Sequence, residues 1–197
     1  MKSRNVVRLF FSTLMVGGIS TIILGFIIRW SEYQPFFSTF NIKEILSITF
    51  WLLGLGFIFS VISQMGFFAY LTVHRFGLGI FKSLWSPVQI ILIVFVIFDL
   101  VYFRFQWFAQ SEESILAYVL FPILIFTYGL IVAYIKKSQT NKHAFIPAMF
   151  FMVVVTTIEW IPALRANEES WLYLMLFPLL ICNSYQLLAL HKLIKKS

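Results

Sequence analysis

The sequence predicts an all-α membrane protein, a six-transmembrane helical bundle with both termini in the cytoplasm. Three observations lead there. The 197 residues are 60% hydrophobic, 19% aromatic and only 12% charged, whereas soluble domains carry roughly 25% charge and 45–50% apolar residues. Six long apolar stretches alternate with short polar connections. The charges also divide between alternate connections. The start, the second and fourth loops and the C-terminus hold Lys2, Arg4, Arg8, Arg75, Lys82, Lys136, Lys137, Lys142, Lys192, Lys195 and Lys196, with no acid. The other connections and the helix ends beside them hold Arg29, Lys43, Arg104 and Arg165 with all eight acids. Only the basic count sets orientation, and eleven against four places both ends inside.

A crossing of the ~30 Å hydrocarbon core needs about 20 apolar residues. Residues 9–28 supply the first. The preceding Lys2, Arg4 and Arg8 resemble a signal-peptide n-region, but the run is too long for an h-region and no A-x-A-like site follows, so it stays as a helix. Residues 45–73 are 29 positions without a charge, so the second helix tilts or its 66–73 end lies in the interface. Residues 88–103 are the third span, opened by Ser86-Pro87, a cap followed by proline at the first helical position. Residues 114–135, 145–164 and 171–190 complete the set. The longest connection, 29–44, leaves no room for a soluble domain, so residues 1–197 read as one polytopic membrane domain.

One internal repeat stands out. Residues 112–125 are EESILAYVLFPILI and residues 168–181 are EESWLYLMLFPLLI, an offset of 56. Spans three–four and five–six therefore form two parallel copies of a helical hairpin. Pro122 and Pro178 occupy equivalent positions in it and are candidate helix kinks, since each removes a backbone hydrogen bond and clashes with the carbonyl four residues earlier.

Asp99 and Glu159 are the sharpest candidates for chemistry. Each lies about five residues inside the outer end of its span, roughly 7–8 Å deep, where a charged side chain is costly and faces the bundle interior with a partner. Arg29, Arg104 and Arg165 are the partners within reach across helices, and the five residues form a candidate intramembrane polar site. The alternative is two interfacial acids that simply reach water. Gly17, Gly18, Thr21 and Gly25, with Gly54, Gly56 and Ser60, are small residues at helical spacing that allow close helix approach. Gln64, Asn183 and Gln186 are expected to hydrogen-bond between helices.

Other chemistries find no constellation. His74, His143 and His191 have no metal-ligand spacing, so neither a metal nor another cofactor is expected. Neither a phosphate loop nor a GxSxG nucleophile elbow occurs. Glu112-Glu113 lacks the arginine of an EExxxR protease motif, because residue 117 is Ala; acids in the first turn of a helix favour its dipole. No catalytic residue is assigned, and the chain is not expected to be an enzyme. The net charge of +7 sits on the cytoplasmic ends, where it meets anionic lipids rather than nucleic acid. Cys182, the single cysteine, cannot form a disulfide within the chain.

The stretch GFFAYLTVHRFGLGIFKSLW at 66–85, followed by FDLVYFR at 98–104 and preceded by FFSTLMVGGIST at 10–21, resembles a family of Bacillus membrane proteins, the KinB-signalling pathway activation proteins, over the full length. The resemblance implies a multi-pass protein of the bacterial cell membrane that the sporulation sensor histidine kinase KinB requires to feed the phosphorelay. It assigns no residue a role. Contact with that kinase through the helices is the first functional reading, with His74, Arg75 and Lys82 as a candidate cytoplasmic contact. The alternative is a small membrane transporter or exporter of the stimulus, with Asp99 and Glu159 lining its path.

Overall fold

The computed structural model describes residues 3–109 and 115–195, and no strand occurs among them. Lys2, Lys196 and the first EES motif, Glu112-Glu113-Ser114, lie outside the described residues. Among the described residues, five helical stretches are long and apolar enough to cross a membrane: 3–28, 42–106, 118–139, 142–166 and 169–191. The stretch 42–106 is 65 residues, roughly 100 Å at 1.5 Å per residue, and it contains a turn described below. Long apolar helices of this kind are consistent with a membrane protein.

Helix α1 (Ser3–Ile28) shows what solvent the chain is built for. Apart from Leu9, its buried residues are Thr13, Gly17, Gly18, Thr21 and Gly25, all small. Its opposite face carries Phe11, Met15, Ile19, Ile23 and Ile27, each more than half exposed. In water the arrangement would be reversed. In lipid the large apolar side chains gain nothing by turning inward, and small residues let helices approach closely.

Contacts divide the chain into two compact units, one of Met1–Met65 with Glu159–Ser197 and one of Gly66–Ile158. In the first, α1 packs along α8 (Glu169–Lys195). A short helix, α2 (Trp30–Ser38), follows α1 in what the sequence presents as a plain loop. Buried Tyr33 packs edge-on against Phe26 and ties α2 to α1. Phe40, at φ 50°, turns the chain into α3 (Ile42–Phe81).

Helix α3 is 40 residues long, about 60 Å, and continues eight residues past the expected end of the second span. It stops where Lys82 adopts φ 49°, a left-handed conformation uncommon outside glycine. The chain then folds back within the second unit. The Trp85 indole Nε1–H donates to His74 Nδ1 at 3.0 Å, and its ring stacks on Phe81. Gly77 makes room: a Cβ there would stand 2.4 Å from the Trp85 ring. Trp85 is thus taken into the packing and buried. The 65-residue stretch is a reversal from α3 into α4 (Trp85–Phe108), not one rod.

Helices α4 and α5 (Leu116–Gln139) and α6 (Phe145–Phe150) pack together in the second unit. Tyr70 donates its hydroxyl to the Pro147 carbonyl at 3.0 Å, and Phe67 meets Phe151 edge-on. The fifth expected span is continuous but not uniform, because a π-helical turn, Phe151–Val155, separates α6 from α7 (Thr156–Ala166). All five of its side chains are buried. Such turns are rare and often occur near functional sites. Helices α5 and α8 run through Pro122 and Pro178 without ending. Positions 104 and 160, one repeat length apart, each engage the start of the following helix. Arg104 lies over the Tyr118 and Phe121 rings, and Trp160 Nε1 donates to the Leu172 carbonyl.

Candidate functional site

The first unit buries a row of polar side chains where an apolar interior would suffice. Helix α3 contributes Ser60, Ser63 and Gln64; α8 contributes Cys182, Asn183 and Gln186. The first trio has spacing i, i+3, i+4 and the second i, i+1, i+4, so each falls within about 100° of one helical face. The two faces meet through hydrogen bonds. Gln186 Nε2 donates to Ser63 Oγ, Ser63 Oγ donates to Asn183 Oδ1, and Asn183 Nδ2 donates to Glu159 Oε2, each at 2.6 Å. Glu159 reaches this chain from α7 and is itself buried, 6% exposed.

The direction of the chain is chemically fixed. Gln186 Nε2 also lies 3.3 Å from the Cys182 carbonyl, which only accepts, so the amide nitrogen must face that way. Ser63, accepting from Gln186, is free to donate onward to the Asn183 oxygen. Asn183 then turns its amino group to Glu159. Donors all point toward the carboxyl group, and the buried atoms left without a partner include three oxygens: Glu159 Oε1, Gln64 Oε1 and Gln186 Oε1. A buried acceptor without a donor costs on the order of 1–3 kcal/mol. The arrangement is therefore expensive as a helix clamp alone.

Helix α1 closes over the row. A Cβ at Gly17 would lie 2.7 Å from Ser60 Cβ, 2.9 Å from the Gly56 carbonyl and 3.1 Å from Cys182 Sγ. Glycine at 17 is what lets α1 reach the polar face. Beside it, α3, α7 and α8 border a cleft of about 300 Å³ lined by Leu55, Phe59, Ile62, Ala163, Trp171 and Met175. That lining is apolar and offers nothing to a charged ligand.

The other sequence candidates fall elsewhere. Arg29 lies in the first unit with Glu32 at 3.7 Å and Glu168 at 3.8 Å, over the rings of Trp51 and Trp171. Both carboxylates are about half exposed, so these pairs contribute little. Arg165 is exposed on α7. Asp99 is half-buried on α4, and Arg104 rests on Tyr118 and Phe121, both in the second unit. The partner of Glu159 is an amide, not an arginine. His74 accepts from Trp85, while Arg75 and Lys82 are exposed. Asn183 and Gln186 bond between helices as the sequence suggests, whereas Gln64 donates within α3 to Ser60 at 3.2 Å. Ser63, the hub of the chain, carries no sequence signal: a serine in an apolar helix is unremarkable until its neighbours are known.

A family model described as KinB-signalling pathway activation in sporulation matches residues 17–193. A protein of Bacillus subtilis (strain 168) named KinB-signaling pathway activation protein is 53% identical over 198 residues, covering 100% of both chains. No solved structure matches.

Proposed function

Because the chain belongs to the KinB-signalling pathway activation family, we propose that it activates KinB signalling in sporulation, acting from within the membrane as an accessory protein of the kinase. The observation that carries the proposal is the full-length relative at 53% identity, whose name states that pathway. Both termini lie in the cytoplasm and the chain crosses six times in this reading, which the partition of eleven basic residues against four supports. Reporter fusions at Gln139 are expected to read cytoplasmic and those at Gln110 and Asn167 extracytoplasmic; an outside signal at Gln139 would invert the layout.

Contact with the kinase runs through the helices, and α3 offers the face for it. Trp51, Gly54, Ile58, Val61 and Met65 are exposed at spacing 3, 4, 3, 4, the seam on which left-handed helix pairs form. Gly17, Gly18, Gly25 and Gly56 are already occupied by neighbours within the unit, but a Cβ at Gly54 would meet nothing within 4 Å. Gly54→Leu is therefore expected to leave membrane abundance unchanged while KinB-dependent sporulation output and crosslinking to the kinase fall several-fold. Unchanged output would move the contact to the exposed Arg75 and Lys82. The exporter reading draws its support from the buried chain ending at Glu159. It expects Asp99→Asn and Glu159→Gln to abolish activation with kinase crosslinking intact.

A further inference from the structure

We infer that the cleft bordered by α3, α7 and α8, together with Arg29 beside it, binds one phospholipid with an amine-bearing headgroup, of the phosphatidylethanolamine class. Two surfaces of different chemistry adjoin there. The cleft is apolar, about 300 Å³, and lined by Leu55, Phe59, Ile62, Ala163, Trp171 and Met175. Leu55, Phe59 and Ile62 follow one another at spacing 4 and 3, so the cleft runs along α3 for roughly 10 Å, the shape of a hydrocarbon tail. Pro162 and Ala166 also line it and are exposed, so it is open to the surroundings, which for long apolar helices are lipid. Trp171 is where the apolar surface meets a charge. The Arg29 guanidinium carbon lies 5.6 Å from the Trp171 ring and 5.7 Å from the Trp51 ring, and the two rings are 6.4 Å apart. One side chain thus lines the cleft and carries a cation.

The charges select the headgroup. Arg29 stands just past the apolar run 9–28 and Glu168 just before the run 171–190, the level at which headgroups begin. Glu32 and Glu168 approach different nitrogens of the guanidinium, at 3.7 and 3.8 Å, too far for hydrogen bonds. The Tyr33 hydroxyl borders the same group. Ring faces and loose ion pairs therefore hold Arg29, leaving N–H groups for a phosphate, which arginine binds through paired donors. Two half-exposed carboxylates around one cation oppose a lipid of net negative charge. A headgroup carrying both phosphate and ammonium satisfies all three residues, with the phosphate on Arg29 and the ammonium donating to Glu32 or Glu168. A choline headgroup has no N–H to donate. The inference concerns the lipid alone and does not require the kinase contact.

The test uses the purified full-length protein in detergent, offered phosphatidylethanolamine, phosphatidylcholine or phosphatidylglycerol with identical acyl chains, and counts retained lipid by native mass spectrometry. One ethanolamine lipid per chain is expected to be retained, several-fold in excess of either other lipid. Arg29→Gln should lower that retention several-fold and erase the preference. Glu32→Gln with Glu168→Gln leaves the cation without its acids and should turn the preference toward phosphatidylglycerol. Both acids are half-exposed, so this variant serves if Arg29→Gln does not fold. Ala166→Phe, at an exposed position, fills the cleft and should lower retention of all three lipids alike. Equal retention of the three lipids by the unaltered protein, a preference for the choline or glycerol lipid, an unchanged preference in either charge variant, or undiminished retention in Ala166→Phe would each overturn the assignment.

Discussion

Gly56→Ala is expected to lower the stability of the protein by about 2–3 kcal/mol, the upper range for forcing extra atoms into a packed site. A Cβ at this position would stand 2.6 Å from the Gly17 carbonyl oxygen and 2.7 Å from Gly18 Cα. Both are backbone atoms, so no side chain can swing aside and α1 itself must move away from α3. That motion would also open the polar row beneath α1. The paired control is Gly54→Ala, two residues away, where the added methyl meets nothing within 4 Å; alanine there gains helix propensity. Unfolding midpoints in detergent and membrane abundance measure both. Equal behaviour of the two variants would mean that α1 does not approach α3 at Gly17 and Gly56.

Asn183→Leu is expected to cost about 3 kcal/mol, because it strips Glu159 of its hydrogen-bond donor and Ser63 of its acceptor. Neutral interhelical bonds in membranes average only about 0.6 kcal/mol, so losing the Ser63 bond is the minor part. The larger part is a carboxyl group left buried without a donor, for which the desolvation cost is roughly 1–3 kcal/mol. The decisive measurement is the double variant. Asn183→Leu with Glu159→Leu removes the stranded carboxyl as well, and should be more stable than Asn183→Leu alone. A double-mutant cycle giving purely additive losses would show that the two residues are not coupled.

The sequence alone determined that the chain is helical and built of long apolar segments. Long uncharged runs force helices, since a backbone in lipid must satisfy its own hydrogen bonds. The small residues of α1 and the amides at 183 and 186 were legible as helix–helix contacts for the same reason, whereas the amide at 64 bonds within α3. What it could not determine was which face of each helix points where. In a soluble protein the apolar stripe marks the core face, but a membrane helix is apolar on both sides. Gly54 and Gly56 therefore look alike in sequence, although 200° apart on an ideal helix, and only the structure makes one exposed and the other a contact. The partner of Glu159 was hidden for a related reason. Charge suggested an arginine, but residues 63, 159 and 183 meet only because α3, α7 and α8 converge, and convergence depends on packing that hydropathy does not encode. The turn at Lys82 and the π-helical turn at 151–155 belong to the same class: neither carries a glycine or proline to announce it, and tertiary contacts around Trp85 and Phe151 hold them in place.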